Sequence, residues 1–249
     1  MKILGVIPAR FASTRFPGKP LADLLGKSMV HRVYLQCKKA KRLTAVIVAT
    51  DHQKIFDHVV SFGGNACLTS DQHPSGTDRC CEALELQPTL FDFVVNIQGD
   101  EPFINPYQID LLCSSLDVST ELATLIQEIT SQEQLLSSNE VKVVLNNRKE
   151  ALYFSRSPIP YVQQVDQMEW IEQARFYRHV GLYAYRQDIL KQITKLPQSK
   201  LEKAESLEQL RWIENGFRIK TVESDAEEGI CIDTPEDLEK AIALLRKKM

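Results

Sequence analysis

Ile3-Leu4-Gly5-Val6-Ile7, followed at once by Pro8-Ala9-Arg10-Phe11-Ala12-Ser13-Thr14-Arg15-Phe16-Pro17-Gly18-Lys19-Pro20, is the stretch on which the fold turns. The first five residues are an apolar run of strand length. Pro8 has no N–H to give to a ladder, so the strand is expected to stop there. The segment beyond it carries three cations (Arg10, Arg15, Lys19), two hydroxyls and a glycine. A buried strand that delivers a basic, small-residue loop to its C-terminal edge is how open α/β sheets hold phosphates. Arginine supplies a planar fork for phosphate oxygens, and lysine a mobile point charge. A solvated basic loop is the plain alternative, and the position directly after a strand favours the phosphate reading. The sequence is neither a Walker A loop nor G-x-G-x-x-G, so neither of those sites is implied.

Working outward, strands and helices alternate. Ser28 is expected to open a helix with Met29, Val33 and Cys37 inside. Residues 45–49 read as a strand, and Asp51 as the cap of a helix over 52–62 that Gly63-Gly64 ends. Residues 65–68 read as a strand, 77–86 as a helix, and 93–97 as a strand apolar throughout, as in a sheet covered on both faces. This alternation predicts βαβ units and a parallel sheet. In the second half, 122–129, 141–145, 152–154, 180–185 and 218–222 are strand candidates. Residues 163–174 read as a loop or short helix, and 206–215 and 234–248 as helices. The expectation is one domain over 1–249, with an insertion near 120–220 that covers the site or makes a dimer contact.

The chain of 249 residues is 43% apolar and 25% charged, as in a soluble globular protein, and its net charge of −3 gives no basis for nonspecific nucleic-acid binding. Six cysteines are scattered without a C-x-x-C pair, which suits reduced thiols better than a disulfide framework or a zinc site. The N-terminal apolar run is too short for a signal peptide, and no later run reaches membrane-spanning length. A soluble cytoplasmic protein with no membrane partner is expected.

Two further stretches carry chemistry. Asn96-Ile97-Gln98-Gly99-Asp100-Glu101-Pro102 begins where an apolar strand ends, where ligands sit in open α/β sheets. Asp100 there can hold Mg²⁺, which accepts one or two protein carboxylates together with phosphate oxygens and waters; it can equally be a turn residue. In Gly229-Ile230-Cys231-Ile232-Asp233-Thr234-Pro235-Glu236-Asp237-Leu238, Thr234 followed by Pro235 and an acidic first turn predicts a strong helix cap. That capping leaves Asp233, one residue upstream, open as a metal ligand.

These motifs carry a resemblance. Ile7-Pro8-Ala9-Arg10, Ser13-Thr14-Arg15 and Pro17-Gly18-Lys19-Pro20-Leu21 resemble the N-terminal signature of the 3-deoxy-manno-octulosonate cytidylyltransferase family, whose loop wraps the triphosphate of CTP. Ile232-Asp233-Thr234-Pro235-Glu236-Asp237-Leu238 resembles the C-terminal motif of sugar nucleotidyltransferases, where the aspartate completes the metal site. Ser75-Gly76-Thr77 with Arg79 resembles the family's second nucleotide loop. Ala151-Leu152-Tyr153-Phe154-Ser155-Arg156 with Ile159-Pro160, and Arg178-His179-Val180-Gly181-Leu182-Tyr183, resemble its sugar-acid pocket, and Leu207-Glu208-Gln209-Leu210-Arg211 the helix that contacts the sugar hydroxyls. The likeness spans residues 3–240 and is weakest over 161–176, where an arginine expected soon after Ile159-Pro160 is missing. Cys80-Cys81 is a second departure.

The resemblance implies a GT-A-like (Rossmann-like), three-layer nucleotidyltransferase fold with a mostly parallel central sheet. It implies transfer of CMP from CTP to the anomeric hydroxyl of 3-deoxy-D-manno-octulosonate (Kdo), for lipopolysaccharide synthesis, by a homodimer. On this reading Arg10, Arg15, Lys19 and Asp100 are catalytic. Pro8, Ala9, Arg10, Ser13, Arg15, Lys19, Ser75, Gly76, Thr77, Arg79 and Gln98 bind the nucleotide. Gln98, Arg156, His179, Tyr183, Glu208 and Gln209 orient the sugar acid, and Asp100 and Asp233 bind Mg²⁺. A cytidylyltransferase for sialic acid or 8-amino-Kdo needs the same loop and metal. A non-catalytic nucleotide-binding regulator on the same fold is the alternative from another class, and the presence of both aspartates argues against it.

Overall fold

The opening apolar run forms β1, Ile3–Ala9, buried along almost its whole length. In the computed structural model, which describes residues 1–12, 16–226 and 231–247, it is followed by α1 (Met29–Cys37), β2 (Ala45–Thr50), α2 (Gln53–Ser61), β3 (Ala66–Leu68), α3 (Gly76–Glu85), β4 (Phe93–Asn96) and α4 (Pro106–Ser114). β1 pairs in parallel with β2 on one side and β4 on the other, and β2 pairs in parallel with β3. Parallel neighbours need a crossover, and α1, α2 and α3 supply it. The parallel sheet expected from the strand–helix alternation is therefore present, with order β3-β2-β1-β4, and its strands all deliver their C-terminal ends to one edge.

Two local expectations are corrected here. The strand does not stop at Pro8, which pairs with Ala49 while Ala9 pairs with Thr50. Ile97 N–H donates to the Val6 carbonyl, so Val6 and, two residues on, Pro8 turn their polar groups toward β4. The β1–β4 ladder has already ended at Val6, so the N–H that Pro8 lacks has no partner to miss. Second, His52 rather than Asp51 caps α2, its ring nitrogen accepting from Lys54 N–H. The Asp51 carboxylate is engaged elsewhere, by the Arg79 guanidinium at 3.0 Å and Phe11 N–H at 3.1 Å. Ser28 does cap α1, accepting from His31 N–H.

The chain divides into two units, Met1–Ser114 with Ala226–Met249, and Ser115–Asp225. The second contains β5 (Leu122–Glu128), α5 (Gln132–Leu136), β6 (Lys142–Leu145), β7 (Ala151–Ser155), α6 (Trp170–Gln173), β8 (Tyr177–Arg186), α7 (Gln187–Ile193), α8 (Lys200–Glu205), α9 (Gln209–Glu214) and β9 (Ile219–Glu223). β5 runs antiparallel to β8 and parallel to β9, while β6 runs antiparallel to β7 and β8. The β5–β8 register breaks: Thr124 faces Tyr183, but the next residue, Leu125, faces Val180. Such a bulge re-aims side chains on the strand that carries it. The helix expected over 206–215 is present from Gln209 to Glu214, and a further helix, α8, precedes it. Ser206, at φ 55, is the left-handed cap that ends α8, and α9 starts three residues later. A core of Ile129, Leu135, Trp170 and Phe176 holds α5 and α6.

α10 (Pro235–Lys247) closes the first unit. Asp237 accepts from Thr234 N–H and Thr234 Oγ, while its own N–H donates back to Thr234 Oγ. This reciprocal cap fixes where the chain turns from Asp233 into the helix.

Candidate active site

The ends of β1 and β4, the turn at Lys19, the start of α3 with the residues before it, and the segment at Asp233 build a cleft of about 360 Å³ in the first unit. The end of β1 contributes Pro8 and Ala9 to its lining, and the exposed Arg10 follows directly. The segment after β4 contributes Gln98, Gly99 and Asp100. Gly99 fits here because the chain beyond β4 passes close to the end of β1: a Cβ on it would sit 2.6 Å from the Pro8 carbonyl oxygen. Ser75 and Gly76 line the cleft from the start of α3, which Ser75 caps by accepting from Asp78 N–H. Arg79, one helical turn on, is nearly fully buried and also lines it. Its fork is held by the Asp51 carboxylate and by Thr69 Oγ at 2.6 Å. Thr77 is buried and does not line the cleft.

Gly18, at φ +71, ends the basic loop in a left-handed turn and donates its N–H to the Phe11 carbonyl. The Phe11 ring stacks on His52 with centroids 4.0 Å apart. Lys19 starts the following short turn and points into the cleft. Its ammonium donates to Asp100 Oδ2 at 2.8 Å, the Ile232 carbonyl at 3.0 Å and Asp233 Oδ1 at 3.1 Å. Burial alone would lower the Lys19 pKa; Asp100 and then Asp233 more than reverse this and raise it, so the ammonium stays charged. Ile232 N–H donates to the Asp100 carbonyl, and Ile232 packs in a core with Leu24, Met29 and Ala241, against which Phe16 and Phe103 lie. The basic loop, the β4 end and the Asp233 segment are thus locked to one another. Ser13 and Arg15 lie outside the described residues.

The chemistry of this donor set fits a hard divalent cation. Ligand atoms of Asp100, Cys231 and Asp233 lie within 4.8 Å of one another, and the two carboxylates already hold one positive charge, that of Lys19. Two carboxylates leave room for phosphate oxygens and waters, as Mg²⁺ requires. His73 also lines the cleft and was not singled out by sequence. Its Nε2 meets the Glu82 carboxylate. Burial pushes the Glu82 pKa up, but Ser70 N–H and His73 outweigh it and hold the carboxyl low. A lone histidine two residues before Ser75 gave no signal of its own.

The other predicted residues lie in the second unit. His179 and Tyr183 on β8 have ring centroids 5.0 Å apart, and Phe154 of β7 meets the His179 ring edge-on at 5.3 Å. The imidazole is only partly covered by area, yet it sits deep among neighbouring atoms, and burial pushes its pKa down to about 3. Tyr183 packs against Tyr185 and edge-on against Trp212 at 5.1 Å. Burial first, then Tyr185 and Glu208, push the Tyr183 pKa well up. The Tyr183 hydroxyl feels that of Thr124 without hydrogen-bond geometry and has no partner, nor has Trp212 Nε1. Arg156 follows β7, donating from N–H to Glu205 Oε2, from Nε to the Glu205 carbonyl and from Nη1 to the Ser138 carbonyl. Glu208 pairs with Arg211 at 3.0 Å, and Gln209 is buried at the start of α9.

Residues 4–227 match the family model described as cytidylyltransferase. A Parabacteroides distasonis protein named 3-deoxy-manno-octulosonate cytidylyltransferase is 54% identical, over all of both chains. The chain belongs to the 3-deoxy-manno-octulosonate cytidylyltransferase family. A Bacteroides thetaiotaomicron member of the same name is 52% identical over all of both chains. The solved structure of CMP:2-keto-3-deoxy-manno-octonic acid synthetase in complex with CTP superposes over all of both chains with a TM-score of 0.92 at 43% identity. At 15% identity and a TM-score of 0.61, 4-diphosphocytidyl-2C-methyl-D-erythritol synthase from Anaerococcus prevotii shares the nucleotidyltransferase fold. Among the described residues, no helix is long and apolar enough to cross a membrane.

Proposed function

We propose that the protein transfers CMP from CTP to the anomeric hydroxyl of Kdo. The hydroxyl oxygen bonds to the α-phosphorus as the bond from that phosphorus to the bridging oxygen breaks. Pyrophosphate leaves, and the hydroxyl proton goes to solvent. The observation that carries this reading is the convergence of Lys19, Asp100 and Asp233 beside Arg10 at the strand ends of a chain 54% identical to a protein of that name.

Phosphoryl transfer needs positioning and charge stabilisation more than covalent catalysis. Arg10 and Lys19 bind the triphosphate and stabilise charge on the departing pyrophosphate, with Arg15 and Ser13 as further contacts. Pro8, Ala9, Ser75, Gly76, Arg79 and Gln98 frame the nucleotide, while Thr77, expected among them, is buried behind the cleft. Asp100 and Asp233 would hold Mg²⁺, which when bound neutralises phosphate charge and acidifies the attacking hydroxyl. Arg156 pairs with the sugar carboxylate, while neutral His179, protonated Tyr183, Glu208, Gln209 and Gln98 orient the hydroxyls. The same reading gives a cytoplasmic homodimer whose product feeds lipopolysaccharide synthesis, as the family resemblance implies.

Pyrophosphate release with CTP, UTP, ATP and GTP against Kdo, 8-amino-Kdo and sialic acid tests it. Turnover is expected with CTP and Kdo. Faster turnover with another nucleotide or sugar acid would replace the assignment.

A further inference from the structure

Thr124 sits on β5, fully buried, opposite the bulge in β8. Its Oγ lies 2.9 Å from the Leu182 carbonyl oxygen, 3.2 Å from the Val180 carbonyl oxygen and 2.9 Å from His179 Nε2. A hydroxyl has one proton to donate, and carbonyl oxygens can only accept. If that proton pointed to Nε2, the hydroxyl oxygen would present lone pairs alone to two carbonyl oxygens at contact distance. The arrangement without this conflict has Thr124 donating toward the two strand carbonyls and accepting from His179 Nε2–H. The imidazole is neutral, because burial pushes its pKa down to about 3, so it carries a single ring proton. With that proton on Nε2, Nδ1 keeps its lone pair.

We propose that Thr124 is a positioning residue: plugging the β8 bulge, it holds His179 as the Nε2–H tautomer and so presents Nδ1 to accept a hydrogen bond from a sugar-acid hydroxyl. The bulge is what makes this geometry. In a regular strand the Val180 and Leu182 carbonyls, two residues apart, would point to the same edge but lie about 6.7 Å apart along it, too far for one hydroxyl to touch both. The register break turns both toward one hydroxyl and brings the His179 and Tyr183 rings together. The substrate half of this inference rests on the reading of His179 as a sugar-acid contact; the tautomer half does not.

Long-range ¹H–¹⁵N spectra of histidine-labelled protein read the tautomer directly, with His179 assigned by His179→Gln. Native protein is expected to show a protonated Nε2 and a bare Nδ1, whose resonance moves when Kdo is added with CTP. Thr124→Val should lose the tautomer preference and raise the KM for Kdo by about tenfold, with CTP affinity unchanged. Thr124→Ser, which keeps the hydroxyl, should restore both. A protonated Nδ1 in native protein overturns the proposal without any variant. So does a folded Thr124→Val protein with native tautomer and native KM. A tautomer as expected with an Nδ1 resonance indifferent to Kdo refutes instead the assignment of His179 to the sugar acid, and with it the substrate half.

Discussion

The two units organise their polar groups in opposite ways. In the first, the groups are charged and come from the ends of parallel strands: Lys19, Asp100 and Asp233 are far apart in sequence and meet because every strand of that sheet points the same way. Their partners are each other and the backbone, and the cleft they line is open. In the second unit the sheet is mainly antiparallel, and the groups around β8 are aromatic rings and hydroxyls inside the fold, with the charged Arg156 and Glu208 held by neighbouring residues. Position there is set by ring packing and by a break in register. The contrast teaches that a phosphate site can be built from topology plus charge, whereas selective contacts to hydroxyl groups need side chains whose orientation and proton positions are fixed by packing.

The largest effect that would break this comparison is loss of a carboxylate in the first unit. Asp100→Asn and Asp233→Asn should each abolish turnover while circular dichroism shows an intact fold, since each removes a charge that faces Lys19 and would face Mg²⁺. Near-normal activity of either variant at limiting Mg²⁺ would take that residue out of the site.

A smaller effect sharpens the second unit's side. The His179 pKa is lowered in the folded protein, from about 6.5 unfolded to about 3. Below pH 6.5 the unfolded chain therefore takes up a proton that the folded chain refuses, and stability falls as pH drops from about 6.5 toward 3. Above about pH 6.5 the group makes no difference. His179→Gln should flatten this part of the denaturation-versus-pH curve; an unchanged slope would mean that the imidazole is freely protonated in the fold.

The smallest effect belongs to the thiols. Cys37, Cys80, Cys81 and Cys113 are buried, and burial pushes the Cys67 pKa up to about 11 and that of Cys113 to about 12. Thiols held protonated are poor nucleophiles. Single Cys→Ser changes at these five positions should leave kcat within about twofold and survive strong reductant. Selective inactivation of a folded Cys80→Ser or Cys81→Ser protein would show a role that the fold does not suggest.

Sequence reading went furthest where a local signal sufficed. The apolar runs of β1 and β4, the Ser28 cap and the Thr234 cap each depend on neighbours within four residues, and each was legible. Asp51 was misread because its role is decided by Arg79 and Phe11, which no local pattern brings near it. The helix over 209–214 was legible, but α8 before it was not, because the six residues Lys200–Glu205 hold only two apolar side chains, too few to show an amphipathic period. Asp100, Lys19 and Asp233 were found as separate motifs, but that Lys19 lies between the two carboxylates follows only from strand order. The β8 bulge leaves one mark in the sequence, Gly181 inside the strand, but only pairing with β5 fixes the slip between Thr124 and Leu125.

The central claim is that the nucleotide is held by the first unit's charges and the sugar acid by the second unit's residues. Calorimetric titration of CTP, without sugar, into Lys19→Ala and Arg156→Ala tests it most directly. Lys19→Ala removes the cation and leaves two carboxylates to repel the triphosphate, so CTP affinity should fall by about tenfold to a hundredfold, as for loss of a charge-assisted contact of about 1.5–3 kcal/mol. Arg156→Ala should bind CTP as the native protein does, while its KM for Kdo rises by a factor in the same range. An Arg156→Ala protein that loses CTP affinity as severely as Lys19→Ala would contradict the division.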